Sequence, residues 1–433
     1  MKLKWETVGT ALEIGAFFCL LAAVIITPLG LGGALPWSLF VMRTALAVGG
    51  ALWLCGAALR GRMHLPRLPA VVALLAYVGL VWLSGILSGL TYPTVQIVIN
   101  LSLYAAAFFV AAGTMTTRAR QRVFLVSFLI LSWAMGIYGL LQFLGFWWKL
   151  VPHLNADRYS SFYYNVNHFC GFLAMAIPLT TALCLWSKGF WLRLHYVLLT
   201  ALLLFNIGLD YSHALLAVGI TLTALLLRWL AGLKRPIWKI AGAAILILAL
   251  TGMALGAPLR YADRVKAEDK DLWGKTAAFY RYLVLEKSQD RYVLFGNSVK
   301  VIREEPILGA GPGNYIYKIT EYRPPKIDDW TSSMMHNFVN YSHNDYTQVA
   351  AETGLLGLLA YLAFWLTALI FRPRAAGEPW RIGVIAGLAA ILLYGIAEGN
   401  LTIMPANILI AFTLAGFLQS PQDTKHGMWM PIT

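Results

Sequence analysis

About a dozen long apolar runs decide what this chain can fold into. They fall near 11–27, 35–59, 69–89, 94–113, 123–147, 165–186, 194–209, 213–230, 238–258, 345–371, 382–398 and 403–419. Each is about long enough to cross a hydrocarbon layer of roughly 30 Å. Hydrocarbon offers no partner for backbone N–H and C=O groups, so such runs must be helices or a closed barrel, and none alternates as a barrel strand does. The chain is 59% hydrophobic and 12% charged, with a mean hydropathy of +0.66. The expected fold class is therefore an all-α integral membrane protein of about twelve transmembrane helices. The divide near residue 210 is the least sharply marked.

One long polar stretch breaks the pattern and divides the chain into 1–259 (helices 1–9), 260–342 (a large loop) and 343–433 (helices 10–12 and a tail). Within the loop, residues 263–305 have helical spacing, with Tyr282, Leu285, Tyr292, Phe295, Val299 and Ile302 as an apolar stripe, which suits amphipathic helices on a membrane surface. Pro306 ends that pattern. The strip ILGAGPGNY (307–315) follows, in which Gly309, Gly311 and Gly313 permit unusual backbone angles. It lacks the Lys-Ser/Thr of a P-loop, and two readings stay open: an ordinary loop, or a backbone nest that contacts a diphosphate. The N-terminal MKLKWET shows no small-residue cleavage pattern and reads as the start of a retained helix. Cys19, Cys55, Cys170 and Cys184 all lie in apolar spans, so they suggest neither a disulfide framework nor a zinc site.

The short loops alternate sharply in Lys and Arg. MKLK, GRMHLPR, TTRARQR, SKGFWLR, RWLAGLKRPIWK and RPRAAGEPWR form one basic set, while TPLGLGGALP, SGLTYP and EGNLT carry no basic residue. The positive-inside rule then puts both termini in the cytoplasm and the 260–342 loop outside. The net charge of +14 records topology, and no basic, aromatic-interleaved stretch calls for a nucleic-acid partner.

The loop runs into YSHNDYTQVAAETGLLGLLAYLAF (341–364), which sets His343, Asn344, Asp345, Gln348 and Glu352 at the mouth of a membrane helix. A site there meets a lipid-linked polar substrate. Asp345, Gln348 and Glu352 recur at one helical face, and a carboxylate at the depth of Glu352 must point inward. Gly354 and Gly357 fit close helix packing. Arg43, deep in the second span, is expected to pair with a carboxylate such as Glu13 or Glu398.

The segments SQDRYVLFGNSVKVIREEPILGAGPGNY, NYSHNDYTQVAAETGLLGLLAYL and EGNLTIMPANILIAFTLAG, with RYSSFYYNVNHFCGFLAM upstream, resemble the bacterial O-antigen ligase and polymerase superfamily in order and spacing. The resemblance implies one large, mainly helical periplasmic loop between helices 9 and 10. It also implies a multi-pass protein of the bacterial inner membrane with its active site on the periplasmic side. Its donor would be a glycan on undecaprenyl diphosphate and its acceptor lipid A-core or another glycan, with membrane lipids as surroundings. No cofactor and no metal is implied.

The chemistry needs a general base and donors for an anionic leaving group. On this resemblance His343 is the base and Asn344 orients the ring or the sugar. Arg291 meets the diphosphate, and Glu352 is either a structural anchor or an aid to the acceptor. Arg158, Asn165, Asn167, Gln348, Gly311 and Gly313 are the substrate-binding candidates. His213 joins them as a departure, because the family usually shows arginine there. A ligase is the first reading, a polymerase of lipid-linked repeats the second, and a transporter or flippase a distant third.

Overall fold

The computed structural model describes residues 2–145, 160–209, 213–232, 289–322, 341–371, 379–421 and 429–431. Arg158, the expected span 238–258 and the loop stretches 233–288 and 323–340 lie outside the described residues.

Among the described residues nine helices are long and apolar enough to cross a membrane. They are α1 (Lys2–Leu29), α2 (Pro36–Arg60), α3 (Leu68–Leu87), α4 (Tyr92–Thr114), α5 (Arg118–Phe143), α6 (Val166–Trp186), α7 (Phe190–Leu209), α8 (His213–Ala231) and α11 (Asp345–Ile370). Two shorter apolar helices, α12 (Pro379–Tyr394) and α14 (Pro405–Gln419), complete the bundle. Between them lie α9 (Gln289–Glu304), the single turns α10 (Tyr315–Lys318) and α13 (Asn400–Ile403), and a 3-10 turn over Ile319–Tyr322. A short antiparallel pair, Arg62–His64 with Trp429–Pro431, is the one non-helical pairing of strands among the described residues.

The helix starts follow from local chemistry. Thr117 accepts the N–H of Arg120, so α5 begins at Arg118 and ends at Phe143, a few residues ahead of the hydrophobic run that marks it in sequence. Asn165 caps α6 through the N–H of Asn167, and Asn344 caps α11 through the N–H groups of Tyr346 and Thr347. Gly61 ends α2 in the left-handed conformation, φ 62°.

In lipid there is no hydrophobic drive between helices, and close backbone approach through small residues takes its place. A Cβ on Gly56 would lie 2.7 Å from the Gly9 carbonyl, one on Gly387 2.5 Å from the Met175 carbonyl, and one on Gly416 2.3 Å from the Phe108 carbonyl. These contacts seat α1 on α2, α12 on α6 and α14 on α4. Phe108, Phe364 and Phe412 interlock where α4, α11 and α14 meet.

The two ends of the bundle differ. At one end Arg60 and Arg120 both grip the buried Glu13, and Arg381 donates to the carbonyls of Leu418 (3.2 Å) and Ser420 (2.8 Å) that end α14. At the other end gather the starts of α6 and α11, the 395–403 turn and the glycine strip. Among the described residues Arg43 does not pair with a carboxylate. Its Nε donates to Asn100 Oδ1 at 2.8 Å and its Nη2 to Gln96 Oε1 at 2.6 Å, because Glu13 is taken by Arg60 and Arg120 and Glu398 by His343 and Asn167.

Helix α11 is broken. Gly354 sits at φ 69°, ψ −176°, so the helix stops and restarts within the bundle instead of using this glycine only for close packing. The freed groups are satisfied by the glycine strip. Ala310 and Gly311 donate their N–H groups to the carbonyls of Ala351 and Glu352 at 2.9 Å each, and the N–H of Leu355 donates to Pro306 O at 2.8 Å. Ser84 Oγ adds a bond to the Glu352 carbonyl at 3.0 Å.

The stripe expected on α9 is rotated. Leu294, Ser298 and Val301 are the buried positions, against Tyr315, Ile319 and Ala351, whereas Phe295 is 47% exposed. Ser298 earns its inward place by bonding the Leu294 carbonyl (2.7 Å) and the Tyr315 hydroxyl (2.7 Å), which a pattern of apolar residues does not reveal.

A histidine and carboxylate site at the polar end

His343 precedes the Asn344 cap of α11 and holds a left-handed backbone, φ 53°. A non-glycine residue adopts this region at a cost, and such strain persists where surrounding contacts enforce it. Here the contacts are explicit. His343 Nδ1 lies 2.8 Å from Glu398 Oε1, in the turn after α12, and the Tyr341 ring packs on the imidazole at a centroid distance of 4.1 Å. Glu398 is fully buried, and the His343 side chain is 13% exposed.

A buried carboxylate needs every lone pair engaged. Glu398 Oε2 accepts from Asn167 Nδ2 at 2.8 Å, and Oε1 also accepts from the N–H of Gly399 at 3.2 Å. Asn167 is in turn fixed by its own backbone, whose carbonyl accepts from the Tyr394 hydroxyl at 3.2 Å. The carboxylate thus holds one imidazole nitrogen, and among the described residues no protein group bonds the other, Nε2. Behind this pair the buried His168 shares a contact of 3.1 Å with the Tyr164 hydroxyl. Burial, with a smaller contribution from the Glu398 charge, pushes the Tyr164 phenol up, which keeps it protonated and able to donate to that ring.

The expected residues divide by location. His343 and Asn167 meet at Glu398. Asn165 and Asn344 stand beside them as helix caps, and Asn344 Nδ2 donates to the Ile396 carbonyl at 2.7 Å. His213 opens α8, which packs on α6 and α12, and so lies at the same end. Arg291 lies in the first turn of α9.

Gln348, Glu352, Gly311 and Gly313 form a second, internal network. Gln348 Oε1 accepts from the Ser342 N–H and its Nε2 donates to Glu352 Oε1, both at 2.7 Å. The backbone N–H groups of Gly313 and Tyr315 lie near the Glu352 carboxylate. The glycine strip spends its N–H groups on the carbonyls of the broken helix, beside the Glu352 carboxylate. Gly311 spends its N–H on the Glu352 carbonyl, so the diphosphate contact expected of Gly311 gives way to bracing the broken helix.

Glu398 is the functional candidate that pattern reading placed elsewhere. Its signal was present: it is the lone acidic residue in a turn, EGNLT, on the side whose short loops are otherwise almost uncharged.

These features define a multi-pass helical membrane protein with a histidine and carboxylate pair at the end opposite its basic rim. Residues 198–362 match the family model described as O-Antigen ligase, and the match supports the O-antigen ligase family for this chain. The matched stretch holds His213, Arg291, the glycine strip, His343 and Glu352, and it ends before Glu398. None of the curated proteins compared matches the chain. The family points to glycosyltransferase activity of the ligase or polymerase type, with lipid-linked glycan and acceptor partners.

Proposed function

We propose that the protein moves a glycan from a lipid diphosphate donor, of the undecaprenyl type, to an acceptor hydroxyl at the His343 end, with lipid A-core or a similar terminal glycan as acceptor. The observation that carries this reading is the 2.8 Å contact between His343 Nδ1 and Glu398, with Nε2 left for substrate. A carboxylate that accepts the Nδ1 proton puts the lone pair on Nε2, the atom that must act as base. The acceptor oxygen attacks the anomeric carbon, its proton passes to Nε2, and the bond from that carbon to the diphosphate oxygen breaks with its electron pair going to the leaving group. A single displacement inverts the anomeric centre. Arg291, with Arg158 and His213, neutralises the departing diphosphate, and guanidinium forks suit its paired oxygens better than an ammonium. The charge is met by protein cations, so the reaction is independent of a divalent ion. The basic rim then faces the cytoplasm and the site the periplasm of a bacterial inner membrane.

Transport is the reading favoured by one observation, the break in α11, since broken helices line ion and substrate paths. The freed carbonyls of Ala351 and Glu352 are already taken by Ala310, Gly311 and Ser84, which leaves them nothing for a passing ion. The test of the transfer reading is His343→Asn, because asparagine tolerates the left-handed backbone that alanine resists. Loss of transfer from purified lipid diphosphate glycan in a folded, membrane-inserted variant is the expected result. Transfer at the wild-type rate removes His343 as the base.

A further inference from the structure

Arginines inside the described membrane helices are held differently, and Arg381 for one is held by the carbonyls of Leu418 and Ser420 at the end of a helix. Arg60 and Arg120 share Glu13, so their charges are largely answered. Arg43 is answered by nothing charged among the described residues. Its Nε and Nη2 hydrogens go to the neutral oxygens of Asn100 and Gln96, which orient the guanidinium without cancelling its charge. A cation within a spanning segment costs a few kcal/mol and is kept where it has a task.

The geometry says which edge is spoken for. Nε and Nη2 form the side edge of the guanidinium fork, and the two amides hold that edge. The end edge, Nη1 with the second Nη2 hydrogen, has no protein partner among the described residues. Side chains on a helix lean toward its N-terminus, and α2 and α4 both begin at the His343 end. The Arg43 head accordingly reaches up to Gln96, about one turn in from the start of α4, at the depth where lipid phosphates meet hydrocarbon.

Asn100, which holds the guanidinium, also lines a cavity of about 200 Å³ between α3, α4, α11, α13 and α14. Ile97, Leu101, Tyr104, Ile408 and Phe412 give one side of it an apolar wall suited to hydrocarbon, and Glu352, Thr353 and Thr402 make its polar side.

We propose that Arg43, held by Gln96 and Asn100, binds the phosphate of a membrane lipid on the leaflet of the His343 end, with part of the lipid's hydrocarbon in the adjoining cavity. The fork accepts two phosphate oxygens through parallel N–H bonds, and the branched and aromatic wall accepts the chain. His343 does not line this cavity, whereas Glu352 does. A bound lipid there would stand between α2, α4 and the broken helix α11.

The test uses the full-length protein, delipidated in mild detergent and titrated by native mass spectrometry with four probes: farnesyl diphosphate, dioleoylphosphatidylglycerol, uncharged dioleoylglycerol and inorganic diphosphate. Arg43→Gln should weaken at least one lipid phosphate about tenfold and leave dioleoylglycerol unchanged. Arg43→Lys should fall between, because lysine keeps the charge and loses the fork. Gln96→Leu, which leaves Arg43 in place and frees its head, should weaken the same probe. Ile408→Trp should fill the cavity and weaken the lipid but not inorganic diphosphate. A loss confined to farnesyl diphosphate identifies an isoprenoid donor lipid, and one confined to phosphatidylglycerol identifies a bilayer lipid. Arg118→Gln, at the opposite end, is the control and should change nothing. Wild-type binding of both lipid phosphates in folded Arg43→Gln overturns the proposal, as does inorganic diphosphate binding as tightly as the lipids.

Discussion

At the scale of single residues, the site turns on a proton whose place is set by Glu398. Glu398→Gln keeps the shape but can present an NH2 group to His343 Nδ1, which would favour the tautomer with its proton on Nε2, the wrong one for a base. In the Ser-His-Asp triad the same carboxylate-to-amide change leaves the geometry intact and costs up to about 10⁴-fold in kcat. We expect kcat to fall by that amount with KM for the donor little changed, and Glu398→Asp to recover part of it; equal kcat in wild type and Glu398→Gln would reduce the pair to a packing contact. Arg291 is tested by charge-conserving replacement. If its fork grips the diphosphate, Arg291→Lys loses most activity although the charge remains, while EDTA leaves the wild-type rate untouched. Full activity in Arg291→Lys, or inactivation by EDTA, would contradict the proposed leaving-group chemistry. His213→Arg adds a guanidinium at the same end and is expected to rescue part of the Arg291→Lys defect.

At the scale of elements, the break in α11 and the glycine strip are one device. A Cβ on Gly354 would come within 2.1 Å of the Ile307 carbonyl and one on Gly309 within 2.4 Å of Glu352 backbone, both at positive φ. Either change to alanine forces strained backbone and displaces the strip, at a cost of roughly 1–3 kcal/mol from the backbone alone. Thermal unfolding in detergent should show both variants destabilised, with Gly357→Ala milder because the nearest atoms belong to the Thr353 side chain and can move. Glu352→Ala is the companion test. It leaves Gln348 Nε2 without its acceptor, at a cost of about 1–3 kcal/mol when buried. Unchanged stability in Glu352→Ala would mean that the Gln348 and Glu352 contact does not brace this region.

At the scale of the whole molecule, the bundle is polarised, with arginines at one end and the His343 and Glu398 pair at the other. A reporter fused at residue 235 is expected in the cytoplasm and one within 310–330 in the periplasm. Both reporters on one side would invert or abolish the proposed placement of the site. The same polarity explains why Arg43 stands out: it is the arginine of α2 that reaches toward the His343 end.

Much of this was legible in the residues themselves. Apolar runs near the length of the bilayer specify helices because lipid gives backbone groups no other partner, and the helix bounds of α2, α6, α8 and α11 fall within a few residues of those runs. The stretch around His343 carried its own signal, polar side chains crowded at a helix mouth. Pairing was not legible. Glu398 lies 55 positions from His343, and Arg43 lies 57 from Asn100. Periodicity reports which face a residue occupies on its own helix and nothing about which helix comes alongside. The glycine strip shows the same limit in sharper form. Its sequence states that the backbone bends and offers N–H groups, but whether those groups meet a substrate's phosphate or the protein's own Glu352 depends on where α11 breaks, and only the packing of α3, the strip and α11 against one another decides that.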